Sequence, residues 1–372
     1  MKVSESKSGL HWSLRILLWI NILNSVLLLG AYINTHISPN SFPYLAFLGL
    51  AYPIFLLIAI VFIGLWIFAK PRYVLLSLLT IVIGWNHLTN FYALNWSQAE
   101  LNQPLKVISF NVRVFDLYNK EGRVENRNKI FDFLSEQNAD ILCFQEFYNQ
   151  EEPTLFPTKD TMINLLGTHY YHERYTHEMR GKRYFGVATF SKYPIVNKGQ
   201  IPFENDPNNY CIFSDVVIRQ DTFRVFNGHL GSIRLQNDDY EFFGELDGPE
   251  YPEQKEAGQR IMKRLKIAFE KRAVQAEQVA AEIERSPHPV IVCMDLNDTP
   301  VSYSYRQFSR ILEDAFVQSG NGIGQTYIGK VPSNRIDYIF YDEQLRSANF
   351  TTHQVSFSDH KPISCELELK SE

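Results

Sequence analysis

Between residues 16 and 69 the chain contains no Asp, Glu, Lys or Arg. No water-facing domain surface is built without charge, since such surfaces carry roughly a quarter or more of charged residues. The scarcity extends over residues 1–99, where Glu5 is the one acid and Lys2, Lys7, Arg15, Lys70 and Arg72 are the bases. Three apolar runs fill this region, at about 14–33, 44–69 and 73–94. A helix rises about 1.5 Å per residue, so about 20 apolar residues cover the ~30 Å of a bilayer's hydrocarbon. The sequence therefore predicts three transmembrane helices in a membrane module of residues 1–96. Asn86, His87 and Asn90 make the last turns of the third run polar. A cleaved signal peptide is the alternative for the first run. Its length, the missing Ala-x-Ala and the two runs that follow argue against it.

Lys and Arg set the expected orientation. Lys2, Lys7 and Arg15 flank the first run, Lys70 and Arg72 lie between the second and third, and residues 34–43 have neither Lys nor Arg. The N-terminus is then cytoplasmic, and three crossings leave everything after residue 96 extracytoplasmic. Trp85, Tyr92 and Trp96 suit an interfacial belt.

The remainder is a different material. It holds 40 of the 41 acids and 31 of the 36 bases, so a module of net +4 precedes a region of net −9. Strong non-specific nucleic-acid binding needs a basic surface, although a bound metal can offset an acidic average. Apolar strand-like runs at 105–111, 140–146, 186–191, 211–219, 222–228, 289–295, 335–341 and 363–367 alternate with helical patterns at 124–137, 258–284 and 304–312. This predicts one sheet-centred α/β domain over 97–372, its sheet covered on both sides. Cys143, Cys211, Cys293 and Cys365 each sit in an apolar strand-like run with no zinc-type spacing, as buried small hydrophobes do.

Several strands end in a polar residue that the strand does not need. Asn111 ends ISFN, Glu146 ends ILCFQE, His229 follows FRVFNG, Asp295 and Asn297 end VIVCMDLN, Asp337 sits in RIDYIF, and Asp359 and His360 form SDHKP. Singly, each reads as a turn residue, a cap or a solvated loop. Together they mark one rim of a sheet, where α/β enzymes place their sites.

The ordered set ISFNVR, DILCFQEF, GVATFSKYPI, FNGHL, VIVCMDLNDTP, RIDYIFYD and SDHKPI resembles the endonuclease/exonuclease/phosphatase superfamily, which includes deoxyribonucleases, abasic-site endonucleases, sphingomyelinases and inositol polyphosphate 5-phosphatases. The resemblance covers about residues 104–368. It implies a four-layer α/β sandwich, two packed mixed β-sheets flanked by helices, and metal-assisted attack of an activated water on a phosphodiester. Hydrolysis of that bond needs a cation on the phosphoryl oxygens, a deprotonated water and help for the leaving alkoxide. Hard oxygen ligands suit Mg²⁺ or Mn²⁺. By resemblance, Glu146 is the first metal ligand and Asn111 and Asp359 complete the shell. Asp295 positions or deprotonates the water, Asn297 orients water or phosphate, and Asp337 bonds His360, which contacts the phosphate or shares acid–base duty. The resemblance leaves open which carboxylate is the base.

Two positions separate the branches. Abasic-site enzymes have an Asp where this chain has Arg113 and a Tyr where it has His229. His229 resembles the deoxyribonuclease and sphingomyelinase branches, where the ring donates to the phosphate or leaving oxygen. Arg113, Lys192, Arg234 and Arg272 are further cationic candidates, with Arg272 read as a structural ion pair. The acidic, glycine-containing stretch at 231–259 follows His229 directly and is read as a lid or substrate-selection loop, or else as a surface insertion. The expected activity is that of a membrane-tethered phosphodiesterase on a lipid headgroup or small phosphodiester. The alternatives are an extracytoplasmic nuclease on DNA or RNA and a non-catalytic binding module. The bilayer is the expected partner; no protein partner is predicted.

Overall fold

A computed structural model describes residues 11–151, 156–167, 169–179, 182–204, 206–233, 251–329 and 335–370. The described strands are β1 (Ala93–Leu94), β2 (Leu105–Asn111), β3 (Ile141–Gln150), β4 (Tyr170–Met179), β5 (Arg183–Ser191), β6 (Ile195–Pro202), β7 (Tyr210–Ile218), β8 (Asp221–His229), β9 (Val290–Asp295), β10 (Glu313–Asp314), β11 (Asn321–Gly322), β12 (Asp337–Tyr341), β13 (Leu345–Thr352) and β14 (Ile363–Leu369). Twelve of them form two six-stranded mixed sheets, ordered β10-β12-β9-β8-β7-β6 and β13-β14-β2-β3-β5-β4, and β1 pairs with β11 in a two-stranded ribbon.

Side chains alternate across a strand, and here both faces are apolar. Leu105, Val107, Ile141, Cys143 and Cys365 of one sheet pack against Val225, Ile291, Cys293 and Ile339 of the other. On the outer face of the first of these sheets, Ile108, Phe110, Leu142 and Phe144 meet the helix Arg123–Gln137 through Ile130, Phe131 and Leu134. Across the molecule, Phe226, Val292, Met294 and Phe340 meet the helix Tyr251–Ile283 through Ala276, Val279 and Ile283. The result is helix, sheet, sheet, helix: the expected four-layer sandwich. All four cysteines are buried and free.

The N-terminal region departs from three uninterrupted helices. Trp12–Asn34 and Tyr52–Ala69 are each long and apolar enough to cross a bilayer. The run 44–69 is broken at Ala51, because the short helix Tyr44–Leu50 docks on the sandwich domain instead of extending the helix Tyr52–Ala69. A Cβ on Gly49 would collide with the Val301 carbonyl and the Asn34 amide, and Phe47 packs edge-on to Phe269 at 5.3 Å. The third run bends by 67° between Pro71–Ile83 and Trp85–Phe91 and makes a third span only if that bent pair is counted as one. At the bend, Gly84 leaves room for the Tyr32 ring, which any Cβ would strike, and the Tyr32 hydroxyl donates to the Thr80 carbonyl at 3.2 Å.

The two parts are joined at one end of the helices. Asn34 donates to the Val301 carbonyl at 3.0 Å, Asn40 to the Glu270 carbonyl at 3.1 Å, and Arg335 to the Asn90 carbonyl at 2.7 Å. The helix Tyr52–Ala69 runs away from this junction. At about 1.5 Å per residue, Lys70 and Arg72 lie roughly 27 Å further along its axis.

Candidate active site

Strand register brings the polar ends together. β8 and β9 run parallel with His229 opposite Asp295, and β12 runs antiparallel to β9 with Asp337 opposite Asp295. β2 and β3 run parallel with Asn111 opposite Gln145, and β14 starts beside Ser109 at the same end. His360 precedes β14 in an isolated bridge to Tyr327. One rim of both sheets therefore carries Asn111, Glu146, His229, Asp295, Asp337 and His360.

Glu146 reaches that rim through a distortion. A bulge interrupts the pairing of β3 with β5 between Phe144 and Phe147, and Glu146 has φ 50°. A left-handed backbone costs a non-glycine residue about 1 kcal/mol, and bulges re-aim side chains beside sites. Residues 113–116 also have positive φ immediately after Asn111.

Asp295 is fully buried. Its Oδ1 accepts from the Asn297 backbone N–H at 2.9 Å and its Oδ2 from the Asn111 amide at 2.9 Å, with His229 Nε2 at 3.5 Å. Burial and the neighbouring Asp337 charge raise its pKa, against the pull of His360 and His229 and the Asn111 hydrogen bond. His360 Nδ1 bonds Asp337 at 2.9 Å, and Nε2 has no protein partner among the described residues. Burial opposes the charged ring, but the Asp337 and Asp295 carboxylates overcome it and push its pKa up to about 10. The ring is thus an imidazolium at neutral pH.

Amide orientations follow from unambiguous partners. Asn297 Nδ2 donates to the Leu230 carbonyl at 3.0 Å, so its other proton faces His229 Nε2 at 2.9 Å, and His229 carries its proton on Nδ1. Asn111 Oδ1 accepts from the Arg113 N–H at 3.0 Å, so its nitrogen faces Asp295 and Glu146, the latter at 3.3 Å. In this arrangement the Asn111 amide nitrogen clamps two carboxylates, and its oxygen, which keeps a second lone pair, lies in the turn after β2.

Arg113 reaches Asp359 at 3.4 Å, while Lys192 pairs with Asp140 at 3.6 Å and bonds the Asn138 carbonyl. Arg272 is buried against Asp298 at 3.1 Å and the Gly231 carbonyl, a structural pair. Arg234 and residues 235–250 of the acidic stretch lie outside the described residues; residues 251–259 begin the helix Tyr251–Ile283 rather than a loop.

Sequence reasoning passed over the support below the rim. Gln145 donates to Ser109 at 3.2 Å and to Asn227 of the opposite sheet at 2.9 Å, and Asn227 donates to the Ala188 carbonyl and Thr189. These side chains are fully buried and tie the two sheets together beneath the carboxylates. The signal was present in the Gln before Glu146 and the Asn two residues before His229.

Residues 108–360 match the model described as the Endonuclease/Exonuclease/phosphatase family. The chain belongs to that family. Members of the endonuclease/exonuclease/phosphatase family are hydrolases acting on phosphoesters and generally use divalent metals. Residues 14–91 match a domain of unknown function, DUF8431. No curated protein matches the chain. Among solved structures, it is similar to the endonuclease/exonuclease/phosphatase from Bacteroides vulgatus (16% identity, 72% of this chain and 100% of that one, TM-score 0.52). It is also similar to the human Nocturnin catalytic domain (19% identity, 74% and 97%, TM-score 0.51). At these identities the likeness concerns the fold.

The donor set fits the hard cation that the family uses. Asp359 Oδ1 is buried without a hydrogen-bond partner among the described residues. Burial raises the Asp359 pKa; His360 and Arg113 oppose the rise and the nearby Glu146 charge adds to it. An orphaned carboxylate oxygen beside a second carboxylate is what a divalent cation satisfies. Asp295, Asp337 and His360 form a second group able to hold a metal, with ligand atoms within 4.8 Å of one another. There the oxygens of Asp295 and the Nδ1 of His360 already have partners.

Proposed function

We propose that this chain is a membrane-tethered phosphodiesterase, dependent on Mg²⁺ or Mn²⁺, that hydrolyses the phosphodiester of a lipid headgroup or a similarly small substrate on the extracytoplasmic side. The observation that carries the proposal is the convergence of a buried carboxylate, Asp295, an imidazolium held by a carboxylate, His360–Asp337, and an unsatisfied carboxylate oxygen, Asp359, on one rim. A divalent cation held by Glu146 and Asp359 would supply positive charge to the phosphoryl oxygens. Asp295 accepts the proton of the attacking water; its raised pKa makes it a stronger base than a solvated carboxylate. His360, oriented through Nδ1, offers Nε2–H to the phosphate or the departing oxygen, where charge develops. Asn297 holds His229 in its Nδ1–H tautomer beside the same space, and Asn111 keeps Asp295 in place.

A small diester is preferred over a polymer because of the cleft beside Glu146 and His229. It measures about 210 Å³ and is lined by Val114, Thr176, Phe185, Asn209 and Tyr210, with no Lys or Arg among its described lining residues. A polyanion needs cations for its neighbouring phosphates. The expected result with Mg²⁺ is turnover of bis-p-nitrophenyl phosphate and of a phosphodiester lipid, well above that of p-nitrophenyl phosphate and with no plasmid nicking at 0.15 M salt. Efficient plasmid degradation with an idle lipid assay would turn the assignment to a nuclease.

The extracytoplasmic placement is supported by the junction at Asn34 and Asn90, at the far end of the apolar helices from Lys70 and Arg72. Alkaline phosphatase fused at the C-terminus is expected to be active, and a green fluorescent protein fused there dark. The reverse pattern would put the catalytic domain in the cytoplasm.

A further inference from the structure

A cleft of about 450 Å³ lies where the membrane module meets the soluble domain, away from the strand ends. The loop holding His36 and the helix Trp85–Phe91 form one side, and the helix Tyr303–Ser309 with the following residues forms the other. That volume suits a small charged group, since ligand clefts start at roughly 300 Å³.

The two carboxylates lining this cleft are each held by another side chain, whereas one of its two guanidinium groups is not. Asp314 is taken by Arg335 at 2.7 Å and by the Tyr305 hydroxyl at 2.9 Å. Glu313 is exposed and held by the Gln318 amide at 2.6 Å, and Arg310 pairs with Glu284 at 2.9 Å. Arg306 has no hydrogen bond or ion pair to its guanidinium among the described residues. His36 and His87 face it closely enough to feel its charge. Burial and Arg306 hold the His36 pKa below its ordinary value. The His87 ring stacks on Tyr32 at 4.9 Å and leaves a buried Nδ1 without a partner among the described residues. Three nitrogen-bearing side chains therefore surround one cleft, with the nearby carboxylates already engaged. That is the arrangement a phosphate oxygen completes.

The cleft also sits at a defined depth. His36 follows the end of the helix Trp12–Asn34. Trp85, Tyr92 and Trp96 are 57%, 47% and 89% exposed close by in sequence, as in the aromatic belts found at headgroup level. We infer that Arg306, His36 and His87 form a binding site for the phosphate of a membrane phospholipid, separate from the hydrolytic site, which fixes the catalytic domain against the bilayer surface. The inference rests on the membrane reading of the N-terminal module.

The test uses the full-length chain in detergent, with phosphatidylglycerol, phosphatidylcholine and inorganic phosphate as separate probes, and lipid retention read by native mass spectrometry. The wild type is expected to hold one phosphatidylglycerol at least about tenfold more tightly than Arg306→Gln. His36→Asn, at an exposed loop position, is expected to weaken it about threefold, so the site stays testable if Arg306→Gln folds poorly. Phosphatidylcholine would be retained more weakly, and inorganic phosphate would compete only at millimolar concentration. Equal retention by the wild type and both variants overturns the site. Occupancy by inorganic phosphate with no lipid retained overturns the lipid assignment. Alkaline extraction of membranes reports the membrane reading separately: release of the wild-type chain defeats that reading, whereas variant-insensitive lipid binding in a chain that resists extraction defeats only the site.

Discussion

Asp295→Asn is expected to lower kcat/KM on bis-p-nitrophenyl phosphate by about 10³-fold or more, while the metal-free chain becomes no less stable. The activity loss follows from removing the proton acceptor, since a positioned general base contributes roughly 10²–10⁴-fold. The stability result follows from the environment of the same carboxylate. Burial and Asp337 raise its pKa in the folded chain. A group whose folded pKa is raised contributes its stability below its unfolded value, about 3.9, and loses it as pH rises through the folded value. Above its folded pKa, ionising the buried Asp295 is therefore a cost that the isosteric amide does not carry. Thermal melts in EDTA should show Asp295→Asn at or above the wild type at pH 7, with the gap closing toward pH 4. A variant retaining a tenth of the activity, or melting far below the wild type at pH 7, would contradict the assigned role.

Asp337→Asn is expected to cost about 10²-fold or more and to move the alkaline limb of the pH–rate profile. The His360 pKa is held at about 10 by the Asp337 and Asp295 carboxylates against burial. The ion pair contributes stability fully below the unfolded histidine value of about 6.5 and loses it as pH rises through 10. Wild-type activity should thus stay level across neutral pH and fall near pH 10. Without the Asp337 charge, burial acts with less opposition, and the limb should shift acidward. His360→Asn should abolish that limb, and combining it with Asp337→Asn should add little, because the pair acts as a unit. An alkaline limb unmoved by Asp337→Asn would show that another group titrates there.

The strands visible in the sequence are those buried on both faces, such as β2, β3, β8, β9 and β12, whose apolar runs are continuous. Besides the two-residue strands β1, β10 and β11, the strands not read are β4, β6 and β13, and these three lie at sheet edges. YYHERYTHEM and IVNKGQIP carry polar and charged residues because half of an edge strand meets water. The rim residues were legible because a polar side chain ending an apolar run stands out. Their orientations were not, because the Asn111 amide oxygen accepts from the Arg113 N–H, a tertiary detail of a left-handed turn. Arg335 shows the same limit. It is fully buried, bonds Asp314 and the Asn90 carbonyl, and precedes Asp337 by two residues. Its contact with Asn90, 245 residues away, has no local signature. The break at Ala51 and the bend at Gly84 likewise depend on Val301 and Tyr32, which approach from elsewhere in the chain.

We propose that Glu146 and the orphaned Asp359 oxygen hold one divalent cation at the rim. Calorimetric titration of Mn²⁺ into the EDTA-stripped, full-length chain tests it directly, with Glu146→Gln and Asp359→Asn checked for a native melting transition. One saturable binding event in the wild type, weakened at least about tenfold in both variants, is the expected result. Binding that is absent from the wild type, or unchanged by both substitutions, would contradict it.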